Sequence, residues 1–193
     1  MPVLLVASYA VWPQLFGGFA TGWPVALFAV WALILTCFVA LTIYDARWFL
    51  LPDRVVWPLT GLAVVFVALR TLQAGDWTTL SSALMGAAVI AGLFWGLELV
   101  SKGAWIGHGD VKLGLSLGLL AGGPVMAMLV IFVASLLGTV YVLAVAPLGL
   151  LRTKGKSLMK AMLPFGPFLI AATFFVVLWG ESIKQWYTTL FLV

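Results

Sequence analysis

The chain has 193 residues, of which 64% are hydrophobic and 8% are charged, and its formal net charge is +4. Soluble domains are about 45–50% apolar and about 25% charged, so this composition excludes an ordinary soluble protein. The apolar residues form long runs rather than the alternating pattern of barrel strands, and the sequence therefore predicts an all-α protein embedded in a membrane.

Uncharged runs bound the number of membrane crossings. Residues 1–44 and 113–151 contain no charged side chain, and each run can hold two spans of about 20 residues. The shorter runs 55–69, 80–97 and 161–180 can hold one span each. The sequence therefore predicts a polytopic transmembrane helix bundle of about six to seven spans, with six preferred.

The N-terminal part combines one uncertain segment with the first clear span. Proline and glycine interrupt residues 1–22, which could span the membrane, lie in its interface or re-enter it. Val25–Ile43 is predicted to be a complete span that carries Asp45 at its end. We expect residues 25–180 to form the core of a single integral-membrane domain that occupies 1–193.

The middle of the chain is predicted to contain two spans joined by a polar external link. Val55 to about Leu69 follows the short loop Leu51-Pro52-Asp53, and residues 70–79 lead to Leu80–Leu97. Small residues recur along Leu80–Leu97, and small residues let helices pack closely in lipid. This helix is therefore expected to be central.

The C-terminal third is predicted to add three spans. Leu113–Leu150 crosses twice, because the break Gly122-Gly123-Pro124 divides it. Its first arm is short, which indicates a helix that begins near or before Asp110. The basic segment Arg152–Lys160 follows as a loop that sets topology or meets anionic lipid. Phe165–Gly180 is the last span.

The basic residues divide unequally between two faces if successive helices alternate in direction. One face holds eight of them, and the other holds only Arg70 and Lys184. The positive-inside rule makes the first face cytoplasmic, so we expect a multi-pass protein of the cell inner (cytoplasmic) membrane. Asp45, Asp53 and Asp110 fall on that same face. Its eight basic residues are Arg47, Arg54, Lys102, Lys112, Arg152, Lys154, Lys156 and Lys160.

Two carboxylates at the ends of apolar helices are the strongest candidates for chemistry. Asp45 ends one apolar run and Asp110 precedes another, where an ionisable residue is costly unless it is solvated, paired or used. Two close carboxylates cannot both ionise easily, and a pair that shares one proton can activate water and protonate a leaving group. Gly107 and Gly109 permit positive φ and the close approach of a substrate strand.

Each candidate also has a purely structural interpretation. Asp110 is suited to cap a helix N-terminus, since Asp favours that position and the helix dipole. Asp45 is alternatively a loop carboxylate paired with Arg47, and Asp53 a turn or cap residue. A lysine such as Lys112 extends readily to the membrane interface. No second histidine accompanies His108, so a metal site is not expected.

Three short motifs occur in order along the chain. They are Asp45-Ala-Arg-Trp-Phe-Leu-Leu-Pro-Asp53, Gly107-His-Gly-Asp-Val-Lys-Leu113 and Pro164-Phe-Gly-Pro-Phe168. They resemble the D-x6-(I/L)-P-D/N, G-x-G-D-x-K-L and P-(F/Y)-G-P segments of the prepilin peptidases, the GxGD aspartic proteases of type IV pili and type II secretion. The resemblance covers about residues 25–180.

The resemblance implies an intramembrane aspartic endopeptidase with Asp45 and Asp110 as its catalytic pair. It further implies removal of the basic leader from prepilins or pseudopilins on the cytoplasmic face, after a glycine just before the substrate's apolar helix. Membrane lipid is the other expected partner, whereas nucleic acid, metal and other cofactors are not expected. The supporting residues that it implies are Pro52, Asp53, Gly107, Gly109 and Lys112.

Three alternative functions stay open at this point. Tyr44-Asp45 with a GxGD motif is also similar to presenilin and signal peptide peptidase, which lack the Leu-Pro-Asp and Asp-x-Lys-Leu features. Paired membrane carboxylates also serve proton-coupled transporters, although this sequence shows no inverted repeat and no acid deep within a span. An inactive membrane scaffold is the third alternative.

Two features depart from the family pattern. Long members carry an N-terminal cytosolic module with two Cys-x-x-Cys pairs, linked to methylation of the new N-terminus, and this sequence has only Cys37. We therefore expect a peptidase without N-methyltransferase activity. Ala104 and Trp105 stand where an acidic residue often precedes the family's GxGD, so no role is assigned there.

Overall fold

The computed structural model describes residues 1–16, 22–145 and 164–191. Within these ranges the chain forms helices and no strand, which confirms the all-α polytopic class. The helices are α1 (Pro2–Phe16), α2 (Gly22–Trp48), α3 (Asp53–Ala74), α4 (Thr78–Ser101), α5 (His108–Ala121), α6 (Pro124–Val145) and α7 (Gly166–Phe191). The predicted basic loop Arg152–Lys160 lies outside the described residues.

Two of the seven helices in the described part of the chain are shorter than a straight membrane crossing. Among the described residues, α2, α3, α4, α6 and α7 are long and apolar enough to span a membrane. α1 has 15 residues and α5 has 14, whereas a straight crossing needs about 20. Where the sequence predicts six to seven spans, the described residues contain seven helices, five of which have spanning length.

The uncertain N-terminal segment forms α1, which packs antiparallel to α2. The indole nitrogen of Trp12 donates a hydrogen bond to the carbonyl of Pro24 at 3.1 Å, and that of Trp31 donates to Ser8 Oγ at 3.0 Å. Both indole rings are fully buried, so each polar N–H needs a partner, and α1 and α2 supply these partners to each other.

α5 lies at the centre of the bundle, in place of α4, which the sequence predicts to be central. It contacts α3, α4, α6 and α7, and eight of its 14 residues are buried. α4 packs closely on one side only, since Gly86 lies against α5, whereas a Cβ added to Gly92 or Gly96 would meet no atom within 4 Å. The small residues therefore indicate close packing correctly, but for one face of α4 only.

The directions of the helices bring three N-terminal ends to one end of the bundle. α3 and α5 run parallel, since Lys112 contacts Asp53 and Ser116 Oγ lies 2.7 Å from Thr60 Oγ1. α7 runs antiparallel to α2, because Gly166 meets Asp45 at one end and residues further along α7 stack on the middle of α2. The first turns of α3, α5 and α7 thus meet the last turn of α2.

Candidate functional site

Asp45 lies in the last turn of α2 and is 6% exposed. Its Oδ2 accepts a hydrogen bond of 2.9 Å from the backbone N–H of Gly166, the first residue of α7. This amide belongs to the group at a helix N-terminus that has no intrahelical acceptor, and it favours a negative charge. The alternative pairing with Arg47 is wrong, because Arg47 is exposed and makes no ion pair within the described residues.

Glycine is required at position 166 by the closeness of Asp45. A Cβ at Gly166 would lie 2.6 Å from Asp45 Oδ2 and 3.2 Å from its Cγ, so any larger residue would push the carboxylate away. In the sequence, the motif Pro164–Phe168 is conspicuous only through its resemblance. The fold shows its physical use, since it presents an amide to a buried carboxylate.

Asp110 is the third residue of α5 and faces back toward the start of that helix. The backbone N–H of Gly107 donates a hydrogen bond of 3.4 Å to Asp110 Oδ2, so Asp110 does act in part as a cap of the α5 N-terminus. Asp110 stands in the first turn of α5, and α5 is too short to count as a membrane-spanning helix. Burial and, second, the charge of Asp45 raise the pKa of the Asp110 carboxyl to about 6.

The two carboxylates face one cavity of about 580 Å³. They come from different helices, and the charge of Asp45 adds to burial in raising the pKa of the Asp110 carboxyl. The rest of the described wall is apolar side chain or backbone, so among the residues that the structure describes the two acids are the cavity's only ionisable groups. The structure therefore brings together the pair that the sequence singles out. The other lining residues are Phe49, Gly103, Ala104, Trp105, Ile106, Gly107, Pro164 and Phe165.

Asp53 and Lys112 form an ion pair beside this cavity rather than within it. Lys112 Nζ donates to both carboxylate oxygens of Asp53, at 2.9 and 2.8 Å. Pro52 occupies the N-cap position of α3 in an extended conformation, and Asp53 begins the helix. The sequence suggests that Lys112 extends to the interface, but its side chain is only 25% exposed and joins the first turn of α5 to that of α3.

The glycines around Asp110 do not adopt the positive φ that glycine permits. Gly107 is extended, with φ −80° and ψ 152°, and Gly109 lies within α5. The left-handed residues stand earlier, at Lys102 (φ 51°) and Gly103 (φ 77°), because the chain reverses direction at the end of α4. At Gly109 the near neighbour is a side chain of the same protein, since a Cβ there would lie 3.1 Å from the Cβ of Leu51, and the approach of a substrate strand stays a prediction.

Sequence reasoning missed a second polar pair at this end of the bundle. His108 Nδ1 lies 3.1 and 3.2 Å from the two carboxylate oxygens of Glu98. This contact joins the last turns of α4 to the first residue of α5. An acid and a histidine ten residues apart across a helix reversal give only a weak signal. Within the described residues, no three His, Cys, Asp or Glu side chains cluster as metal ligands.

The chain matches a known protein family over most of the helices that build this site. The model of the type IV leader peptidase family matches residues 31–143. The chain is 34% identical over 179 residues to a prepilin leader peptidase/N-methyltransferase of Aeromonas hydrophila, covering 90% of this chain and 56% of that protein. It is 30% identical over 188 residues to one of Pseudomonas aeruginosa, covering 95% and 58%.

A relative of the same name from Dichelobacter nodosus is 32% identical over 160 residues, which cover 83% of this chain and 50% of that protein. The chain thus spans about half the length of the curated relatives that it matches. No solved structure matches it.

Proposed function

The chain belongs to the type IV leader peptidase family, and we propose that it is an aspartic endopeptidase that removes the leader from prepilins or pseudopilins. The single observation that carries the proposal is the meeting of Asp45 and Asp110 on one cavity. The substrate class rests on the names of the relatives, which describe peptidases acting on prepilins. We take the 193 residues as one peptidase domain.

The proposed chemistry uses one proton shared between the two carboxylates. The ionised carboxylate takes a proton from a water molecule, and the resulting nucleophile attacks the scissile carbonyl carbon. The protonated carboxyl gives its proton to the carbonyl oxygen, which yields a gem-diol. The other carboxyl, which now carries the proton taken from water, donates it to the leaving amine, and the collapsing gem-diol returns a proton to the first carboxylate. Burial disfavours the charged form of both carboxylates, but the Gly166 amide opposes this at Asp45 through a bond of 2.9 Å, whereas the bond from the Gly107 amide to Asp110 is 3.4 Å long. Two acids in different surroundings can therefore divide the two roles.

The position of the cavity suits a cut beside an apolar helix. It lies where α2 and α4 end and α5 and α7 begin, so an extended peptide can reach it from the membrane surface. Its wall includes Phe49, Trp105 and Phe165, which offer apolar contact to a substrate backbone that has left its helix. A peptide whose apolar helix stays in the membrane would thus present the residues just before that helix.

The supporting residues act in this proposal by fixing the first turns of α3 and α5. The bond between Lys112 and Asp53 sets the position of α5, and with it that of Asp110. Gly109 lets the loop before α3 approach α5 at Leu51, and Gly107 supplies the amide that holds Asp110. None of these residues needs to touch the substrate.

A cleavage assay tests the proposal. Purified protein in detergent is incubated with a prepilin, and a gel and a mass spectrum identify the shortened product. We expect a single cut just before the apolar helix of the substrate. A substrate whose cleavage-site glycine is replaced by a bulky residue is the matched control. If wild-type protein leaves the prepilin intact under conditions that support a known family member, the proposal fails.

The pH profile of kcat/KM is expected to fall as the pH rises through about 6. The pKa of Asp110 is raised from 3.8 to about 6. Above that pH both carboxylates are ionised and the pair lacks its acid, so the rate declines on the alkaline side. His108→Gln, which removes the single histidine of the sequence, is the control and should show the same decline of rate on the alkaline side. A rate that stays constant from pH 5 to pH 8 would contradict this assignment.

The cavity is proposed to open to the cytoplasm, following the eight-to-two division of basic residues. Single cysteines placed by Lys102→Cys and Trp77→Cys in a Cys37→Ser background test this orientation. We expect an impermeant thiol reagent added to intact spheroplasts to label position 77 and to spare position 102 until the membrane is opened. Labelling of both positions from the same side would be incompatible with the proposed orientation.

The 193 residues are further proposed to cleave without methylating the product, although the names of the relatives include N-methyltransferase. The expectation rests on the single cysteine, which cannot supply the two cysteine pairs of the long family members. The measurement is the product mass after incubation with S-adenosylmethionine, with a long family member as positive control. A methyl-sized increment on the new N-terminus would show that these residues suffice for the transfer.

A further inference from the structure

A second, polar cavity of about 320 Å³ lies at the opposite end of the bundle from Asp45 and Asp110. Its walls come from the last turns of α3, the first turns of α4 and α6, and the C-terminal half of α7. The proposed peptidase chemistry uses none of these residues. Those that matter below are Arg70, Thr79, Ser82, Glu181, Lys184 and the backbone from Gly122 to Met126.

Arg70 is the central cation of this cavity. Its guanidinium lies 5.2 Å from the centre of the Phe16 ring. The guanidinium also lies close to Gly122, since a Cβ built on that glycine would be 3.5 Å from Arg70 Nη1. No hydrogen bond or ion pair of Arg70 occurs within the described residues, although Glu181 acts on it through its charge. A planar group with five N–H donors is therefore held in place by an aromatic ring and remains available to a ligand.

The charges around the cavity leave a positive excess. Lys184 Nζ lies 3.6 Å from Glu181 Oε2, and both side chains are more than half exposed. Two cations and one carboxylate line the cavity, which gives a formal charge of +1 over its described wall. Glu181 makes no ion pair with Arg70 within the described residues.

Neutral donors add to this charge. The first hydrogen bond of α6 runs from the Ala127 N–H to the Gly123 carbonyl, so the amides of Val125 and Met126 have no intrahelical acceptor. The N-terminal end of a helix also carries a partial positive charge. The hydroxyls of Thr79 and Ser82, both half-buried, form no hydrogen bond within the described part of the chain.

Two exposed tryptophans place this end of the bundle near the level of lipid headgroups. Trp77, just before α4, is 76% exposed, and Trp186, two residues after Lys184, is 64% exposed. Tryptophan is enriched at membrane–water interfaces, where its ring and its N–H meet different surroundings. The cavity therefore opens where phosphate groups of phospholipids are found.

We propose that this cavity binds a phosphate group, either that of a phospholipid headgroup or a free phosphate ion. The planar donors of Arg70 match two phosphate oxygens, and Lys184 adds a mobile positive charge. The α6 amides and the hydroxyls supply further donors, an arrangement that favours an anion rich in acceptors. The inference stands independently of the peptidase activity, since it uses no residue of that site.

Binding is measured on the purified full chain after removal of lipid in a neutral detergent. In one arm, the thermal unfolding midpoint is recorded in sodium phosphate and in sodium chloride of equal ionic strength. In the other arm, native mass spectrometry measures the affinity for phosphatidylglycerol and for diacylglycerol with the same acyl chains, which lacks only the phosphate headgroup. The two arms distinguish a free ion from a lipid headgroup.

Arg70→Gln is expected to weaken phosphate binding by about tenfold or more, because a charged hydrogen bond is lost. Arg70→Lys should retain part of the affinity, since it keeps the charge but not the planar donors. Arg47→Gln, an exposed arginine at the other end of the bundle, is the matched control and should bind as wild type does. If Arg70→Gln does not fold, the double change Ser82→Ala with Lys184→Gln replaces it.

Retention of phosphatidylglycerol over diacylglycerol that is lost in these variants supports the lipid headgroup. A shift with free phosphate but no preference between the two lipids supports the free ion. Equal effects of phosphate and chloride together with equal retention of the two lipids overturn the proposal. So does binding to Arg70→Gln, or to the double variant, as tight as to wild type.

Discussion

Replacement of either cavity carboxylate by its amide, Asp45→Asn or Asp110→Asn, is expected to reduce prepilin cleavage by about a thousandfold or more. An amide cannot take the proton of water or supply one to the leaving amine, and members of a catalytic unit cannot substitute for one another. Expression and stability in detergent should remain nearly unchanged, because the substitutions conserve shape. The measurement is the initial rate of product formation at saturating substrate, normalised to folded protein.

Three further variants make this result interpretable. The double change of Asp45 and Asp110 should cost no more activity than either single change, since the pair acts as a unit. Asp53→Asn should be milder, because it weakens an ion pair with Lys112 outside the cavity. Asp76→Asn, a fully exposed carboxylate between α3 and α4, is the matched control and should keep full activity. More than a few per cent of activity in either catalytic variant would refute the paired assignment.

Gly118→Ala is expected to destabilise the bundle by about 2–3 kcal/mol, because a methyl group cannot fit between α5 and α4. A Cβ at this position would lie 2.5 Å from Ala87 Cα and from the Gly86 carbonyl oxygen, and 2.8 Å from the Ala87 nitrogen. All three atoms belong to the backbone, so no side chain can move aside and the helices must separate. The measurement is unfolding of the detergent-solubilised protein, followed by tryptophan fluorescence.

Gly92→Ala is the matched control for that experiment. Gly92 lies in α4, but nothing stands within 4 Å of a Cβ built there. Alanine has a higher helix propensity than glycine, so this variant should be as stable as wild type or slightly more stable. Since α5 carries Asp110, Gly118→Ala should also lower the cleavage rate. Equal stability of the two variants would contradict the close contact between α4 and α5.

The class of the protein and its pair of acids follow from sequence for a shared physical reason. Lipid cannot hydrogen-bond the backbone, so long apolar runs have to form helices, and their number and approximate bounds can be predicted from charges and breaks. The same scarcity of charge makes Asp45 and Asp110 conspicuous at the ends of apolar runs. The start of α5 before Asp110 was also predictable, since the run from Leu113 is too short by itself.

Only the tertiary structure decided how these helices face one another. Apolar residues cover all sides of a membrane helix, because both lipid and core are apolar, and the pattern therefore does not show which side is buried. For that reason the sequence could not predict the central place of α5 or the hydrogen bond from the Gly166 amide to Asp45. The partners of Lys112 and His108 were hidden too, since a contact across several helices depends on their packing rather than on local sequence.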